Sequence, residues 1–387
     1  MRLSAEALAP LLHGALEHEV TSRGLLPWRL PAAARRQTTD PGVARVAAEP
    51  SGVHLDFRTE ATDIVLLTHP TRELTGDEAV DAAVYDVVVD GELYAQLRAP
   101  VQGVGTTRRG DPITGEVSST GGADARIELP PLPPGTHDVQ IWLPHEERTE
   151  LIGLETDAEL SPSVAAGKTR WLHHGSSISH GFAVSHPTGT WPVVAARTAG
   201  VRLTNLGLAG QAMLDPFTAR TIRAAEADVI SLKLGINITN GDTMRLRTFI
   251  PAVHGFLDTI REGRHAQTPL LLISPLHCAI QESRPGPLQM ELLESGRRFT
   301  SMGSPEDVAC GKLTLQVIRR TLREIVEVRR EDDPGLHFLD GLELFGGADE
   351  AELPMSEQLH PDTEAQLRIG RRFANVALAP GGPLNLG

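Results

Sequence analysis

The sequence predicts two domains of different class: an antiparallel β-sandwich, followed by a doubly wound α/β domain with a parallel sheet. Three observations lead to this prediction. Apolar residues alternate with period two at several places between residues 50 and 155, and no long helical pattern interrupts that stretch. Beyond Thr169, short apolar runs alternate with helical segments. A chain of 387 residues is long enough to bury two such cores.

The N-terminal domain is predicted to begin with a short helix, because leucines recur at near-helical intervals from residue 2 to about residue 18. Residues 53–57 then alternate apolar and polar, which predicts a strand with one buried face and one wet face. Asp90-Gly91 separates two apolar runs and predicts a tight hairpin, because glycine tolerates a positive φ. Residues 139–143 alternate again. Together these patterns predict a jelly-roll-like sandwich of the kind found in carbohydrate-binding modules.

Residues 161–168 are small and interrupted by proline and glycine, which places the domain boundary there. We therefore expect one domain over residues 1–165 and a second over residues 166–387.

The second domain is predicted to alternate strands with helices. The strands are predicted at 169–173, 202–206, 228–234, 269–274 and 336–339, and the helices at 191–198, from Ser304 to about Arg330, and at 361–378. Residues 281–303 are rich in Pro, Gly, Met and Arg and predict an irregular connection that covers the substrate site.

Charge and composition exclude several classes of partner. The formal net charge of −14 argues against binding to nucleic acid or to an anionic membrane surface. No apolar run is long enough to span a bilayer, and residues 1–20 lack the pattern of a secretory signal. Cys278 and Cys310 are the only cysteines, so the sequence offers no disulfide framework and no zinc spacing. These features predict a cytoplasmic protein.

The stretch from Trp171 to Gly181 reads Trp-Leu-His-His-Gly-Ser-Ser-Ile-Ser-His-Gly and carries the first candidate for chemistry. Ser177 lies beyond the end of a predicted strand, after a glycine that permits a sharp turn. Its backbone N–H falls near the start of a helix, where developing negative charge is favoured. Such a serine suits acyl transfer.

Three further segments follow in order downstream: Asn205-Leu-Gly-Leu-Ala-Gly210, Gly235-Ile-Asn237 and Glu357-Gln-Leu-His-Pro361. Each falls at the carboxyl end of a predicted strand or in the loop after it, which is where ligands bind in open parallel sheets. With the Ser177 segment, they resemble the four sequence blocks of the SGNH (GDSL-type) hydrolase family. The resemblance spans roughly residues 169–378 and is carried by the combination and order of the blocks.

The resemblance implies a catalytic triad. Ser177 would be the nucleophile, His360 the general base and later the general acid, and Glu357 the carboxylate that orients the imidazole. Glu357 stands where the family usually has aspartate, so a backbone carbonyl or Asp362 remains an alternative partner. Ser176 likewise stands where the name-giving motif has aspartate, but that residue is not the nucleophile.

The resemblance also implies an oxyanion hole with three donors: the backbone N–H groups of Ser177 and Gly210, and the side-chain amide of Asn237. Asn240 is a near rival to Asn237. We prefer Asn237 because Gly235-Ile-Asn237 directly follows an apolar strand.

No metal or redox cofactor is expected. His173, His174 and His180 cluster in the sequence, but no carboxylate or cysteine joins them at ligand spacing. We interpret them as packed or solvated residues. Trp191 is interpreted as a core aromatic, with a wall of the acyl pocket as the alternative.

The sequence therefore predicts a serine esterase or O-acyltransferase that works through an acyl-Ser177 intermediate. Its partners would be a small-molecule acyl donor and a hydroxyl acceptor or water. The β-sandwich is similar to modules beside carbohydrate deacetylases, which makes a carbohydrate O-acetyl esterase the alternative. The domain pair also resembles GDSL-type acyltransferases that tailor polyketides in actinomycetes, with acyl-CoA as donor substrate. A third hypothesis, from another class, is an inactive glycan-binding protein.

Overall fold

The computed structural model describes residues 1–76, 78, 81–111, 114–163, 168–293, 296–355 and 357–386. The chain forms two compact units. The first comprises Met1–Arg35, Ala44–Gly167 and His186–Thr188, and the second comprises Arg36–Val43, Lys168–Ser185 and Gly189–Gly387. Two short segments therefore belong to the unit that their position in the sequence would not suggest. The predicted boundary at residues 165 and 166 lies outside the described residues, as do residues 164–167 of the predicted linker.

The first unit consists mainly of strands. In chain order they are β1 (Arg2–Ser4), β2 (Leu12–His13), β3 (Glu17–Val20), β4 (Leu25–Trp28), β5 (His54–Thr59), β6 (Ile64–Thr75), β7 (Val84–Val89), β8 (Glu92–Arg98), β9 (Thr106–Gly110), β10 (Val117–Gly121), β11 (Ala125–Glu128), β12 (His137–Trp142), β13 (Arg148–Thr156) and β14 (Leu160–Pro162). The helices are α1 (Ala5–Leu8), a 3₁₀ turn at Ala9–Leu11, α2 (Ala32–Arg35) and α3 (Pro41–Ala48), which runs across the division between the units.

These strands form two sheets, one in the order β10-β9-β6-β13-β4-β3 and the other in the order β14-β5-β12-β7-β8. Strands β1 and β11 join the first sheet, and β2 joins the second. Apolar side chains from both sheets, such as Phe57, Ile141 and Leu151, pack into one core. The predicted hairpin is present, with Asp90 and Gly91 at φ 50° and 88° between β7 and β8. The predicted β-sandwich is therefore confirmed.

Two details of the predicted first domain are wrong. The predicted helix over residues 2–18 is reduced to the four residues of α1, because β1 and β2 on either side of it pair with β13 and β5. Strand β5 also has no wet face at His54 and Asp56, which are only 8% and 9% exposed. His54 stacks on Trp142 with ring centroids 4.0 Å apart, so this second face is covered as well.

The second unit is a parallel sheet with helices. Its strands are β15 (Arg170–Gly175), β16 (Arg202–Gly207), β17 (Val229–Lys233), β18 (Leu270–Ile273) and β21 (Leu336–Leu339), with a separate hairpin of β19 (Leu288–Leu293) and β20 (Gly296–Ser301). Its helices are α4 (Ser177–His180), α5 (Trp191–Ala199), α6 (Pro216–Ala224), α7 (Ile236–Gly241), α8 (Leu246–Arg261), α9 (Leu315–Arg329), α10 (Gly341–Leu344), α11 (Gly347–Glu352) and α12 (Thr363–Phe373), with 3₁₀ turns at Pro187–Gly189 and Pro305–Cys310 and a π-helical turn at Ala374–Leu378.

The order of the parallel sheet is β16-β15-β17-β18-β21, so the chain starts in the second strand position and reverses direction once across the sheet. Helices cover both faces. Trp171 of β15 stacks on Phe373 of α12. His174, three residues further along the strand, stacks on Phe256 of α8 on the other face. The predicted doubly wound fold is confirmed. Its carboxyl edge at β15 and β17 is the topological switch point, where such folds bind ligands.

Two predicted elements of this unit differ from the structure. The long helix predicted from Ser304 is divided, because Gly311 ends the first turn in a left-handed conformation at φ 83° and Thr314 caps α9 anew. The predicted irregular connection over 281–303 contains the β19–β20 hairpin. Within the described residues, none of the helices has the length and apolar character needed to cross a membrane.

Candidate active site

Helix α4 begins directly after β15 and places Ser177 at its first position. Two glycines allow this short helix to lie against the ends of β15 and β16. A Cβ on Gly175 would lie 2.3 Å from Oγ of Ser179, and a Cβ on Gly207 would lie 2.4 Å from the backbone nitrogen of His180. Both positions therefore need glycine because of close packing. Ser177 itself is 8% exposed.

His360 lies shortly before α12 and reaches Ser177 from the far end of the chain. Its Nε2 is 2.8 Å from Oγ of Ser177. Its Nδ1 is hydrogen-bonded to Oε1 of Glu357. Asp362 instead caps α12, accepting a hydrogen bond of 3.0 Å from the backbone N–H of Ala365. The geometry thus brings Ser177, His360 and Glu357 into one chain of contacts, while the carboxylate of Asp362 is used in a helix cap.

One hydrogen bond joins Asn237 to the loop that follows the Asn205–Gly210 segment. The backbone N–H of Ala212, two residues after Gly210, donates to Oδ1 of Asn237 at 3.1 Å. A primary amide carries its oxygen and its nitrogen on opposite sides. Because Oδ1 of Asn237 faces Ala212, Nδ2 points away from Ala212 and can donate to another group. Gly210 is exposed and has a left-handed φ of 72°. Asn240 lies three residues further along α7, and its Oδ1 is buried without a hydrogen-bond partner in the described part of the chain.

The loop that carries Glu357 and His360 is fixed by contacts that the sequence analysis missed. The backbone N–H of Phe299 in β20 donates to the carbonyl of Glu357 at 3.1 Å. The thiol of Cys278 donates to the carbonyl of Gln358 at 3.5 Å. Gln358 has a φ of 69°, a left-handed conformation that is costly for a residue with a Cβ. Burial raises the pKa of the Cys278 thiol to about 12, so the thiol keeps the proton that it donates. Cys278 lies soon after β18, at the carboxyl edge of the sheet, and this position in the sequence could have identified it as a residue near the site.

Two aromatic rings flank the imidazole of His360. The ring of Phe182 lies 4.6 Å away between centroids, and the ring of Phe299 lies 6.0 Å away in an edge-on arrangement. Sequence reasoning did not single out either residue.

A buried lysine was also missed. Lys233 ends β17, is 1% exposed, and its Nζ has no hydrogen-bond partner among the residues that the structure describes. Burial lowers its pKa to about 8. A buried amine without a partner is unusual, and this one lies shortly before helix α7, which carries Asn237.

The histidines near Ser177 are part of the packing. His173 is hydrogen-bonded to the hydroxyls of Ser231 and Ser179 at 2.7 and 2.8 Å, so it connects β17 with α4. Burial holds its pKa well below the usual range. His174 is hydrogen-bonded to the carbonyl of Leu206, and burial lowers its pKa to about 4. His180 is 1% exposed. Trp191 is fully buried against Trp171 and Phe373, as expected of a core aromatic.

Comparison with known proteins adds independent information. Residues 11–149 match the family model "SsfX3, N-terminal domain". Among solved structures, the salicylyl-acyltransferase SsfX3 from a tetracycline biosynthetic pathway is 27% identical, with a TM-score of 0.78 over 96% of this chain and 95% of that one. No curated protein matches the sequence.

Two further structures share the fold. A GDSL-like lipase from Bacteroides ovatus is 17% identical, with a TM-score of 0.66 over 96% of this chain and 95% of that one. A family two carbohydrate esterase from Cellvibrio japonicus is 12% identical, with a TM-score of 0.57 over 97% of this chain and 96% of that one. These three proteins are described as an acyltransferase, a lipase and an esterase, and each is matched over nearly the whole of both chains. The chain is accordingly an enzyme that resembles the SGNH (GDSL-type) hydrolases, in the two-domain form with an N-terminal β-domain.

Proposed function

We propose that the enzyme transfers an acyl group through an acyl-Ser177 intermediate, from a small-molecule donor to a hydroxyl acceptor, and that water can replace the acceptor. The observation that carries the proposal is the 2.8 Å contact between Oγ of Ser177 and Nε2 of His360, whose other ring nitrogen is bonded to Glu357. A serine hydroxyl is a weak nucleophile until a base in hydrogen-bond contact takes its proton.

The reaction has two halves. In the first, His360 takes the proton of Ser177 while Oγ attacks the donor carbonyl, and Glu357 stabilises the imidazolium. The backbone N–H groups of Ser177 and Gly210 and the amide of Asn237 donate to the oxyanion. The intermediate collapses, and His360 gives its proton to the leaving group. In the second half His360 takes a proton from the acceptor hydroxyl, whose oxygen attacks the acyl carbon. The bond between that carbon and Oγ of Ser177 then breaks, and His360 returns the proton to Oγ.

The balance between transfer and hydrolysis depends on how well the acceptor excludes water. Similarity to the salicylyl-acyltransferase over nearly the whole of both chains supports transfer as the main reaction. We propose a cytoplasmic biosynthetic role with an acyl-CoA donor, in which the enzyme modifies a hydroxyl group of a small natural product.

The first experiment is to incubate the protein with a p-nitrophenyl ester and then with a fluorophosphonate probe, and to locate the adduct by peptide mapping. We expect ester turnover and an adduct on Ser177. Ser177→Ala and His360→Ala should each lower kcat by several orders of magnitude while circular dichroism stays unchanged. Ser185→Ala is the control, because its exposed hydroxyl is bonded to Thr363 outside the proposed triad.

Transfer is measured separately by adding an alcohol acceptor and determining the ratio of acylated alcohol to free acid. Activity that survives in Ser177→Ala would exclude the proposed nucleophile. A product mixture that remains free acid at every acceptor concentration would identify the enzyme as an esterase.

A further inference from the structure

The β19–β20 hairpin contacts the proposed catalytic loop directly. Phe299 in β20 donates its backbone N–H to the carbonyl of Glu357, and its ring lies edge-on to the imidazole of His360 at 79°. The hairpin therefore presents one face to the catalytic histidine. The ring of Phe299 thus lies beside the imidazole that contacts Ser177.

A second aromatic ring, that of Phe182, lies near Ser177. Phe182 follows α4, and its backbone N–H donates to the carbonyl of Ser177 at 3.0 Å. Its ring is tilted by 46° to the imidazole. His360 is only 5% exposed, whereas Phe182 and Phe299 are half-buried. Both rings thus extend beyond the imidazole and offer apolar surface beside the reacting atoms.

The register of the hairpin defines the extent of this surface. Met290 pairs directly with Phe299, so the two side chains share a face, and Met290 is 48% exposed. At one end, Ser301 is buried and donates its hydroxyl to the carbonyl of Pro285 at 2.6 Å. At the other end, Arg297 lies two residues from Phe299 on the same face, about 7 Å along the strand. Leu288 pairs with Ser301 on this face, and the guanidinium of Arg297 lies towards its other end.

We propose that Phe182, Phe299 and Met290 form a wall that binds the acyl group of the donor and selects for its size. This inference rests on the proposed function, because it takes Ser177 as the site of acylation. An acetyl group is too small to cover the wall, and a long chain that extends along this face would reach the guanidinium of Arg297. The wall fits a compact acyl group of about six or seven carbon atoms, such as benzoyl or hexanoyl.

The size preference should be large enough to measure. Each methylene removed from water contributes a factor of about four to binding. We therefore expect kcat/KM to rise at least about tenfold from p-nitrophenyl acetate to hexanoate, and to fall again at the dodecanoate. Benzoate should exceed acetate similarly once each rate is divided by the spontaneous hydrolysis of its ester.

Two variants test the wall. Phe299→Ala removes a ring that also lies beside His360, so it can affect every ester. Met290→Ser is the decisive variant, because Met290 is not part of the proposed catalytic machinery. Met290→Ser should lower kcat/KM for hexanoate and benzoate about tenfold and change acetate less than about threefold. The control is Thr300→Ala, an exposed neighbour on the opposite face of β20, which should leave every ester unchanged.

The outcomes separate the two proposals. If Ser177 is labelled but Met290→Ser affects all esters equally or none, the wall is not the acyl site, and this inference fails while the proposed function stands. If neither turnover nor labelling of Ser177 is seen with any ester, the proposed function fails first.

Discussion

His360 contacts Ser177 through one ring nitrogen and Glu357 through the other. The sequence left the partner of His360 open between Glu357, Asp362 and a backbone carbonyl. Asp362 accepts from the backbone of α12, a local bond that its position before the helix favours. Glu357 has a longer side chain and lies three residues before His360, so it can reach the imidazole. The carboxylate of Asp362 is thus engaged in a helix cap, and Glu357 is the residue whose carboxylate contacts the imidazole.

Asn237 offers a test of the proposed oxyanion hole. Asn237→Asp keeps an oxygen that can accept from the N–H of Ala212 but replaces the donor Nδ2 with a negative oxygen. We expect kcat to fall by about 10²- to 10³-fold with little change in KM, because only the charge that develops in the transition state loses its donor. Steady-state kinetics on a p-nitrophenyl ester measures this.

Asn240→Asp is the matched control in the same helix and should retain most activity. The reverse result, with Asn240→Asp inactive and Asn237→Asp active, would move the donor role to Asn240.

Lys233 makes stability depend on pH. Its pKa is about 8 in the folded chain and 10.5 in the unfolded chain. Below pH 8 both states hold the proton, and the folded state carries the full cost of a buried ammonium, about 3 kcal/mol. Between these two pKa values only the unfolded state holds the proton, so this cost declines as the pH rises. Lys233→Met should therefore be more stable than the wild type at pH 7, with the advantage gone near pH 10.5.

Urea unfolding at both pH values measures the free energies of unfolding. Lys312→Met is the control, because Lys312 is paired with Asp242 and Asp307 and its removal should bring no gain. A Lys233→Met protein that is less stable than the wild type at pH 7 would show that the amine is solvated inside the fold.

Helix α4 can lie close to its neighbours because Gly175 and Gly207 have no side chain there. It has four residues, too few to be stable alone, and it is held between the ends of β15 and β16. Gln366 of α12 strengthens this arrangement, since it donates to the carbonyl of Ile178 and accepts from the N–H of Trp191. The sequence predicts a sharp turn at Gly175, and the structure shows in addition that Ser179 of α4 packs directly against this glycine.

Gly207→Ala tests this packing. The new Cβ would lie within 2.5 Å of the backbone of Ser179 and His180, so α4 must move. We expect a loss of about 1–3 kcal/mol in the free energy of unfolding. We also expect a lower kcat, because Ser177 moves with the helix. Gly255→Ala in α8 is the control, since its Cβ meets nothing within 4 Å and alanine favours the helix. If Gly207→Ala were as stable and active as the wild type, the contact would not constrain α4.

At the scale of the whole molecule, charge affects which donors approach. The net charge of −14 repels a polyanionic acyl-CoA and leaves a neutral ester unaffected. Salt screens this repulsion, so kcat/KM for an acyl-CoA should rise roughly twofold to fivefold between about 20 and 300 mM NaCl. A p-nitrophenyl ester of the same acyl group is the control. A fall in kcat/KM with salt for the acyl-CoA alone would reveal a local basic site for its phosphates.

The class of both domains and the order of the four blocks could be predicted from the sequence. Period-two alternation and short apolar runs are local signals, and parallel strands bring their carboxyl ends to one edge, so the blocks at strand ends could be assigned to one site. The N-terminal helix, the divided helix at Gly311 and the β19–β20 hairpin were mispredicted. In each case strand pairing or a left-handed glycine overrode a weak local preference.

Which side chains contact each other could not be predicted, because it depends on how the folded chain packs. The contacts of Phe299 and Cys278 with the loop of Glu357 and Gln358 join residues far apart in the chain, and no periodicity records such pairs. The same holds for the buried amine of Lys233, whose environment comes from packing around the end of β17. Local sequence sets the conformations open to each segment, and burial of the whole core selects the contacts among them.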